Sequence, residues 1–429
     1  MGAHAAEKIA NTRLAVSLSN QVEHRGSQGQ RRKDDNVVRA AQVDSDDASN
    51  QLSELLAEYR SLAHKQDDGF RHWAIYEDSL AGTIQSRAVI GVPTRGCSFA
   101  MNKSKGCSVC GHACSSLWSP TVDMEDAYAD FLSSFHALEP MHPPVLSIYT
   151  SGSFLDTREL PKRLRNLILS KVAEANWVRQ IYFESLPQFV DEATLSEIQS
   201  IVGDRDISIG MGLDSADEQV RHMCFLRRIP TTLFRNAVLL CKRFGINTVA
   251  YIVHMPPFLS EEESVFDTAN SIKNALAMHF DKVSIEPTAL QTGSLQTLLA
   301  RVGLYTPPTF WSVVSAIEAA RELIGGELES TINLGGQVFT PLPESVLTAC
   351  KHCIHTAQEK NEHLYLRLFR GLNVTEHGSH CGRLRITPPK AVETSMLPAK
   401  ISQVVREARA RLNSTTLAFL GLEKIGERT

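Results

Sequence analysis

Residues 93–112 read PTRGCSFAMNKSKGCSVCGH, and three cysteines, Cys97, Cys107 and Cys110, fall within fourteen positions of that stretch. It follows a short apolar run, Ala88-Val89-Ile90-Gly91-Val92, which predicts a buried strand. Three thiolates on a Gly- and Lys-containing loop at a strand end can hold a 4Fe–4S cluster, leaving the fourth iron without a protein ligand. An open iron is a place where a second cofactor can be chelated and activated. The same spacing also begins a zinc site, in which Cys114 or His112 would complete a tetrahedron. A disulfide is disfavoured, because the chain carries nine cysteines, an odd number, and shows no secretory signal.

Outward from this loop, strand-like and helix-like runs alternate. Strands are predicted at Val145–Thr150, Val178–Phe183, Ile207–Leu213, Thr248–Val253 and Val283–Glu286, with helices at Leu160–Ala175, Glu192–Val202, through Cys241, and at Glu261–Phe280. With the Val89 strand this makes six, and such alternation means parallel strands joined by crossover helices, an α/β barrel-like architecture. In such barrels the chemistry gathers at the C-terminal strand ends. Besides the cysteines, those ends carry Ser151-Gly152-Ser153, Glu184-Ser185, Asp214-Ser215, His254 and Glu286, more convergent polar groups than a core requires.

Residues 1–48 are polar and aperiodic, which suggests a mobile leader. Leu52, Leu55, Leu56 and Tyr59 have helical spacing. The core domain is expected over 49–290, followed by a C-terminal α+β extension or cap over 291–429. Its predicted helices are Trp311–Leu323, Cys350–Gln358 and Ile401–Leu420, with Asn333-Leu334-Gly335-Gly336 between the first two. Of 429 residues 43% are hydrophobic and 21% charged, as in ordinary soluble globular proteins, and no apolar run approaches a membrane span. A cytoplasmic location is the expectation. The formal charge of −4 argues against a strongly basic nucleic-acid binder. The short basic clusters Arg31-Arg32-Lys33, Lys162-Arg163-Leu164-Arg165 and Arg227-Arg228 read as solvated faces.

The spacing Cys-x9-Cys-x2-Cys, with Val109 before the last cysteine, resembles the longer-loop variant of the radical S-adenosylmethionine (SAM) cluster loop, in the elongator/methylthiotransferase-like branch. The ordered strings PTRGCSF, GCSVCGH, YTSGSFLD, FESLPQF, GMGLDS, MPPFLSEEE and YTPPTFWSV resemble the archaeosine-biosynthesis radical SAM proteins in particular. Two positions depart from that family: Leu186 stands where an Arg is usual, and His254-Met255 where a Lys often precedes the Pro pair. The resemblance implies a (β/α)6 partial TIM barrel, a 4Fe–4S cluster on Cys97, Cys107 and Cys110, and SAM as cofactor. An electron donor such as flavodoxin or ferredoxin would be a partner. It further implies that Ser151, Gly152 and Ser153 stand for the Gly-Gly-Glu element at the SAM amino group. Glu184 and Asp214 would reach the ribose, amino group or sulfonium, Gly210 and Gly212 would pack on the adenine, and Arg221 could pair with the carboxylate. His254 and Glu286, with Glu184, are the candidate substrate-facing catalytic groups; His254 could move protons near neutral pH, with a satisfied, hydrogen-bonded histidine as the alternative reading.

Cys350 and Cys353, with Cys381 and the histidines 352, 377 and 380, form a candidate second thiol site. Zinc is its default occupant, and capture of a thiophilic acceptor such as arsenite is the alternative. Three functions follow as expectations. The first is a radical SAM enzyme acting on a small polar metabolite, by bond cleavage or rearrangement or by transfer of the 3-amino-3-carboxypropyl group of SAM. The second is a tRNA-modifying carbon–nitrogen lyase working with a partner enzyme. The third is a zinc-stabilised binding module without activity.

Overall fold

In the parallel strands the apolar residues of one parity meet helices, and the residues of the other parity face the inside of a curled sheet. The computed structural model describes residues 45–61, 73–80, 83–100, 106–111, 123–150, 152–325, 332–334 and 387–414. Its sheet has eight strands in chain order: β1 (Trp73–Leu80), β2 (Thr83–Gly91), β3 (Val145–Tyr149), β4 (Gln180–Glu184), β5 (Asp206–Asp214), β6 (Asn247–His254), β7 (Lys282–Pro287) and β8 (Ile332–Leu334). β1 and β2 are antiparallel, and β2 through β8 are parallel, a curled half-barrel of seven strands. The six expected strands are all present. The two additional ones had weak signals: β1 mixes Glu77, Asp78 and Ser79 into its run, and β8 is only three residues long.

Helices cover the outer face. They are α1 (residues 45–61), α2 (Met124–Leu138), α3 (Lys162–Glu174), α4 (Glu192–Val202), α5 (Glu218–Phe225), α6 (Thr231–Arg243), α7 (Glu261–Ala277), α8 (Leu295–Arg301), α9 (Phe310–Ile324) and α10 (Leu397–Ser414). Their starts have local causes. Asp123, Asp191 and Asp217 cap α2, α4 and α5 by accepting backbone N–H groups, and Ser260 forms a reciprocal box with Glu263 at α7. The helix expected to run through Cys241 is two helices. Leu226 takes the left-handed conformation after α5, and Pro230 opens α6.

Two apolar clusters result. The larger packs the outward residues of the sheet, such as Ile90, Ile148, Phe183, Ile209, Ile252 and Ile285, under α2, α3, α4, α6, α7 and α9. The smaller joins four chain-distant pieces, α1, α5, α8 and α10, through Leu55, Leu56, Met223, Phe225, Leu298, Ile401 and Val405. Val109 of the cysteine loop and Val253 near the end of β6 pack against this second cluster. The first helix and the last described one therefore share a cap beside the C-terminal strand ends. No helix among the described residues is long and apolar enough to cross a membrane.

Candidate active site at the C-terminal end of the half-barrel

The cysteine loop leaves β2 and is held from several sides. Arg60 of α1 donates through Nη2 to the carbonyls of Cys107 (2.8 Å) and Cys110 (2.6 Å), and through Nε to that of Gly293 (2.8 Å). Ser108 donates its N–H to Phe225 O at 3.3 Å and its hydroxyl to Cys224 O, docking the loop on the C-terminal end of α5. On the other side Leu295 N–H reaches Ser108 O at 2.8 Å, and the Gln296 amide reaches Val109 O at 2.8 Å. Gly106 makes a tight turn at φ +90°, where an added Cβ would lie 2.9 Å from Ala100 Cα. Cys107 ends up buried, Cys97 and Cys110 half-buried.

Cys97 and Cys107 respond to burial and to their neighbours. Burial pushes Cys97 up to about 12, and the nearby charges of Glu159, Cys107 and Cys110 add to the shift. Burial likewise pushes Cys107 up to about 11, with Cys110 and Asp214 adding and Arg227 opposing. Three thiolates so placed repel each other, and metal charge among them removes that cost. The all-sulfur donor set fits a cluster in which each of three irons takes one thiolate. Among the described residues no three His, Cys, Asp or Glu side chains gather around a single point as one metal ion requires. His112 and Cys114, the candidates for closing a zinc tetrahedron, lie outside the described residues.

Arg227 is the cation at this loop. Its Nε donates to Cys107 Sγ at 2.7 Å, and its Nη1 donates to Asp214 Oδ2 at 2.7 Å and Gly212 O at 3.2 Å. Burial works against its charge, yet Asp214 and Cys107 outweigh that and hold it above its ordinary value. Burial raises Asp214, against the pull of Arg227.

A second clamp joins the loop to the chain after β3. Glu159, 1% exposed, accepts the N–H of Ser98 at 2.6 Å and the N–H of Ser153. A Cβ on Gly152 would lie 2.1 Å from Glu159 Oε2, so the glycine makes room for this carboxylate. Burial lifts Glu159 to about 7, against the two N–H bonds.

The inner wall of the half-barrel is polar. Arg87 of β2 donates to Ser147 Oγ at 2.7 Å and Tyr149 Oη at 3.0 Å, and its guanidinium lies 4.3 Å over the Tyr182 ring. The Tyr182 and Tyr251 hydroxyls meet at 2.5 Å, and Tyr251 also bonds Glu184. Across the wall Glu286 accepts the Ser284 hydroxyl at 2.8 Å. Burial lifts both Glu184 and Glu286 to about 7; Arg87 opposes the shift at each, and the charge of Glu184 adds to that at Glu286. Both carboxylates are half-buried and face inward, where a bound molecule can reach them.

Several expectations need correction. His254 faces the helices, not the interior: it is 0% exposed, with Nδ1 2.9 Å from Thr268 Oγ1 and Nε2 2.6 Å from Ser312 Oγ. Burial drops it to about 3, so it is a neutral, satisfied core histidine. Arg221 is also fully buried, donating to Ile229 O, Ser215 O and Thr231 Oγ1, which ties the β5–α5 turn to the start of α6. Its guanidinium serves the fold, and Arg227, read from sequence as part of a solvated face, is the one at the cysteines. Gly210 makes room for the paired tyrosines, since a Cβ would sit 2.6 Å from each hydroxyl, and Gly212 does the same for Arg227 at 2.5 Å. Gly152 and Ser153 do flank the loop. Ser151 lies outside the described residues, as do Cys350, Cys353 and Cys381. Sequence reasoning passed over Glu159, Arg60, Arg87 and Arg227.

The chain is 30% identical over 256 residues to an uncharacterized protein of Methanocaldococcus jannaschii, covering 58% of this chain and 67% of that one. It is 28% identical over 243 residues to archaeosine synthase subunit beta of Methanosarcina acetivorans, covering 56% and 69%. The subunit of the same name in Thermococcus kodakarensis is 29% identical over 246 residues, covering 56% and 74%. This chain belongs to the family of the Methanocaldococcus jannaschii protein. No family model matches it. Among solved structures, the chain aligns with the radical S-adenosylmethionine methyltransferase TsrM of Kitasatospora setae at a TM-score of 0.41 and 11% identity, over 76% of this chain and 61% of that one. It aligns with Elp3 of Methanocaldococcus infernus at 0.40 and 15%, over 56% and 61%. Each solved chain is thus spanned over less than two thirds of its length.

Proposed function

We propose that this chain is a radical SAM enzyme that holds a 4Fe–4S cluster on Cys97, Cys107 and Cys110 and cleaves SAM reductively to modify a polar substrate in the half-barrel. The observation that carries the reading is the placement of Cys97, Cys107 and Cys110 on one loop after β2, with the Arg227–Asp214 pair at Cys107, at the C-terminal ends of parallel strands. A 4Fe–4S cluster held there would supply the electron for reductive cleavage of a carbon–sulfur bond of SAM, itself receiving that electron from a donor such as flavodoxin or ferredoxin.

The chain's own residues hold and shield that chemistry. Gly152 and Ser153, braced by Glu159, line the place for the amino-acid end of SAM. Asp214 holds Arg227 at the cysteine loop. Arg87, Glu184, Tyr251 and Glu286 form the polar wall against which a substrate lies. Glu184 and Glu286, near 7, can hold or release a proton at their carboxylate oxygens around neutral pH. The apolar cap of α1, α5, α8 and α10 keeps water from the loop.

A small polar metabolite is the first substrate reading, supported by the net charge of −4. A second reading is favoured by the relatives called archaeosine synthase subunit beta. In it the chain works beside a partner subunit on a tRNA base, and binding weakens steeply with salt.

Anaerobic reconstitution with iron and sulfide, then dithionite and SAM, tests the proposal. The expected outcome is a brown protein that forms 5′-deoxyadenosine, or methylthioadenosine if the aminocarboxypropyl group is transferred. Cys107→Ala should lose colour, iron and product together. A colourless wild type, or a Cys107→Ala variant with full turnover, overturns the reading.

A further inference from the structure

Three backbone features that cost free energy converge on one side chain. Leu226, at φ +59°, ends α5 in the left-handed region and sends Arg227 back toward the strand ends. Asp214, at φ +60°, also lies in that region, just after a register shift between Gly212 and Asp214. Non-glycine residues rarely adopt such backbones, and they persist where surrounding contacts demand them. The Asp214 carboxylate takes Arg227 Nη1 at 2.7 Å, and Gly212 lacks the Cβ that would collide with the same nitrogen. What remains of the guanidinium fork is aimed at sulfur: Nε lies 2.7 Å from Cys107 Sγ. The target is fixed as well, because Ser108 is bonded to the carbonyls of Cys224 and Phe225, three and two residues before Arg227.

We infer that Arg227, locked by Asp214, raises the reduction potential of the cluster by placing a hydrogen-bonded positive charge on the Cys107 sulfur. This deepens the function proposed above and rests on it. Reduction adds one electron and makes the cluster one unit more negative. A cation at a ligand sulfur stabilises that reduced form more than the oxidised one, and hydrogen bonds to the sulfurs act in the same direction. Asp214 is then a positioning residue. Its carboxylate fixes the Arg227 fork through Nη1 and so keeps Nε on the sulfur.

The test is an EPR-monitored anaerobic redox titration of reconstituted wild type, Arg227→Gln, Arg227→Lys and Asp214→Asn. Arg228→Gln, a change at the exposed neighbour paired with Asp46, serves as charge control. Arg227→Gln should shift the equilibrium toward the oxidised cluster at least tenfold, which is about 59 mV for one electron. Arg227→Lys should recover part of that shift. Asp214→Asn should fall between, and Arg228→Gln should match wild type. If Arg227→Gln fails to load iron, the lysine and asparagine variants decide by the same midpoint. Midpoints within threefold of wild type in the variants that load overturn the inference alone. A wild type that takes up no cluster overturns the reading beneath it, and the inference falls with it.

Discussion

On the helix side of β6, His254 has both ring nitrogens in hydrogen bonds with Thr268 and Ser312 and no access to water. Three residues earlier and on the opposite face of the same strand, Tyr251 meets Tyr182 and Glu184 in a half-open wall. The same contrast separates Arg221, whose donors go to carbonyls and a hydroxyl, from Arg227, which reaches a cysteine sulfur. Polar groups on the outer face complete the fold, and those on the inner face keep capacity for something else. Residue type does not separate the two sets. Strand parity and the element on which a side chain lands do.

The contrast can be broken most sharply at Gly152. Gly152→Ala places a methyl where Glu159 now sits, so the inner-face clamp must open. Turnover is expected to fall at least tenfold and stability by about 2 kcal/mol, checked by product assay and by denaturant unfolding. Retained turnover would show that the clamp is ordinary packing. On the outer face, His254→Phe should cost about 2 kcal/mol, because Thr268 and Ser312 lose their partner. Iron content and turnover per folded molecule should stay within twofold of wild type. Loss of activity without loss of stability would put His254 back among the working residues.

The smallest effect distinguishes the faces by pH. Glu184 and Glu286 sit near 7 in the fold, against 4.5 as ordinary carboxyls. Their raised values mean a contribution to stability that is full below pH 4.5 and lost as pH rises through 7. Glu184→Gln or Glu286→Gln should therefore unfold at higher temperature than wild type at pH 8, by about 1 kcal/mol after allowance for partial exposure, and equally at pH 4. His254 runs the other way. Held near 3 against 6.5 when unfolded, it contributes stability that is full above pH 6.5 and lost as pH falls toward 3. Thermal melts of the iron-free protein at pH 4, 6 and 8 check both signs.

Most of the architecture was legible from the chain. Alternating apolar runs located six strands to within a few residues, because a strand buried under helices needs Val, Ile and Phe at every second position. β1 and β8 escaped because one carries charges and the other has three residues. The split at Leu226 escaped because its cause is a backbone angle in a residue type that does not advertise it. Within the site, the cysteines announced themselves by spacing. Glu184 and Glu286 stand at strand ends, and the parity of their strands turns them inward. His254 shared that position, but the parity of β6 turned it outward. Arg60 and Arg227 came from helices or turns remote in sequence, and no local pattern reports a contact 47 or 120 residues away.

The Arg60 fork has a consequence for biogenesis. It bridges carbonyls at Cys107, Cys110 and Gly293, so a helix made early is latched to a turn made much later. That latch closes only after Gly293 has left the ribosome, and until then the thiol loop lacks one of its fasteners. A delivery machinery that waits for the finished polypeptide would meet a ready receptacle, whereas one acting during synthesis would meet a loose one.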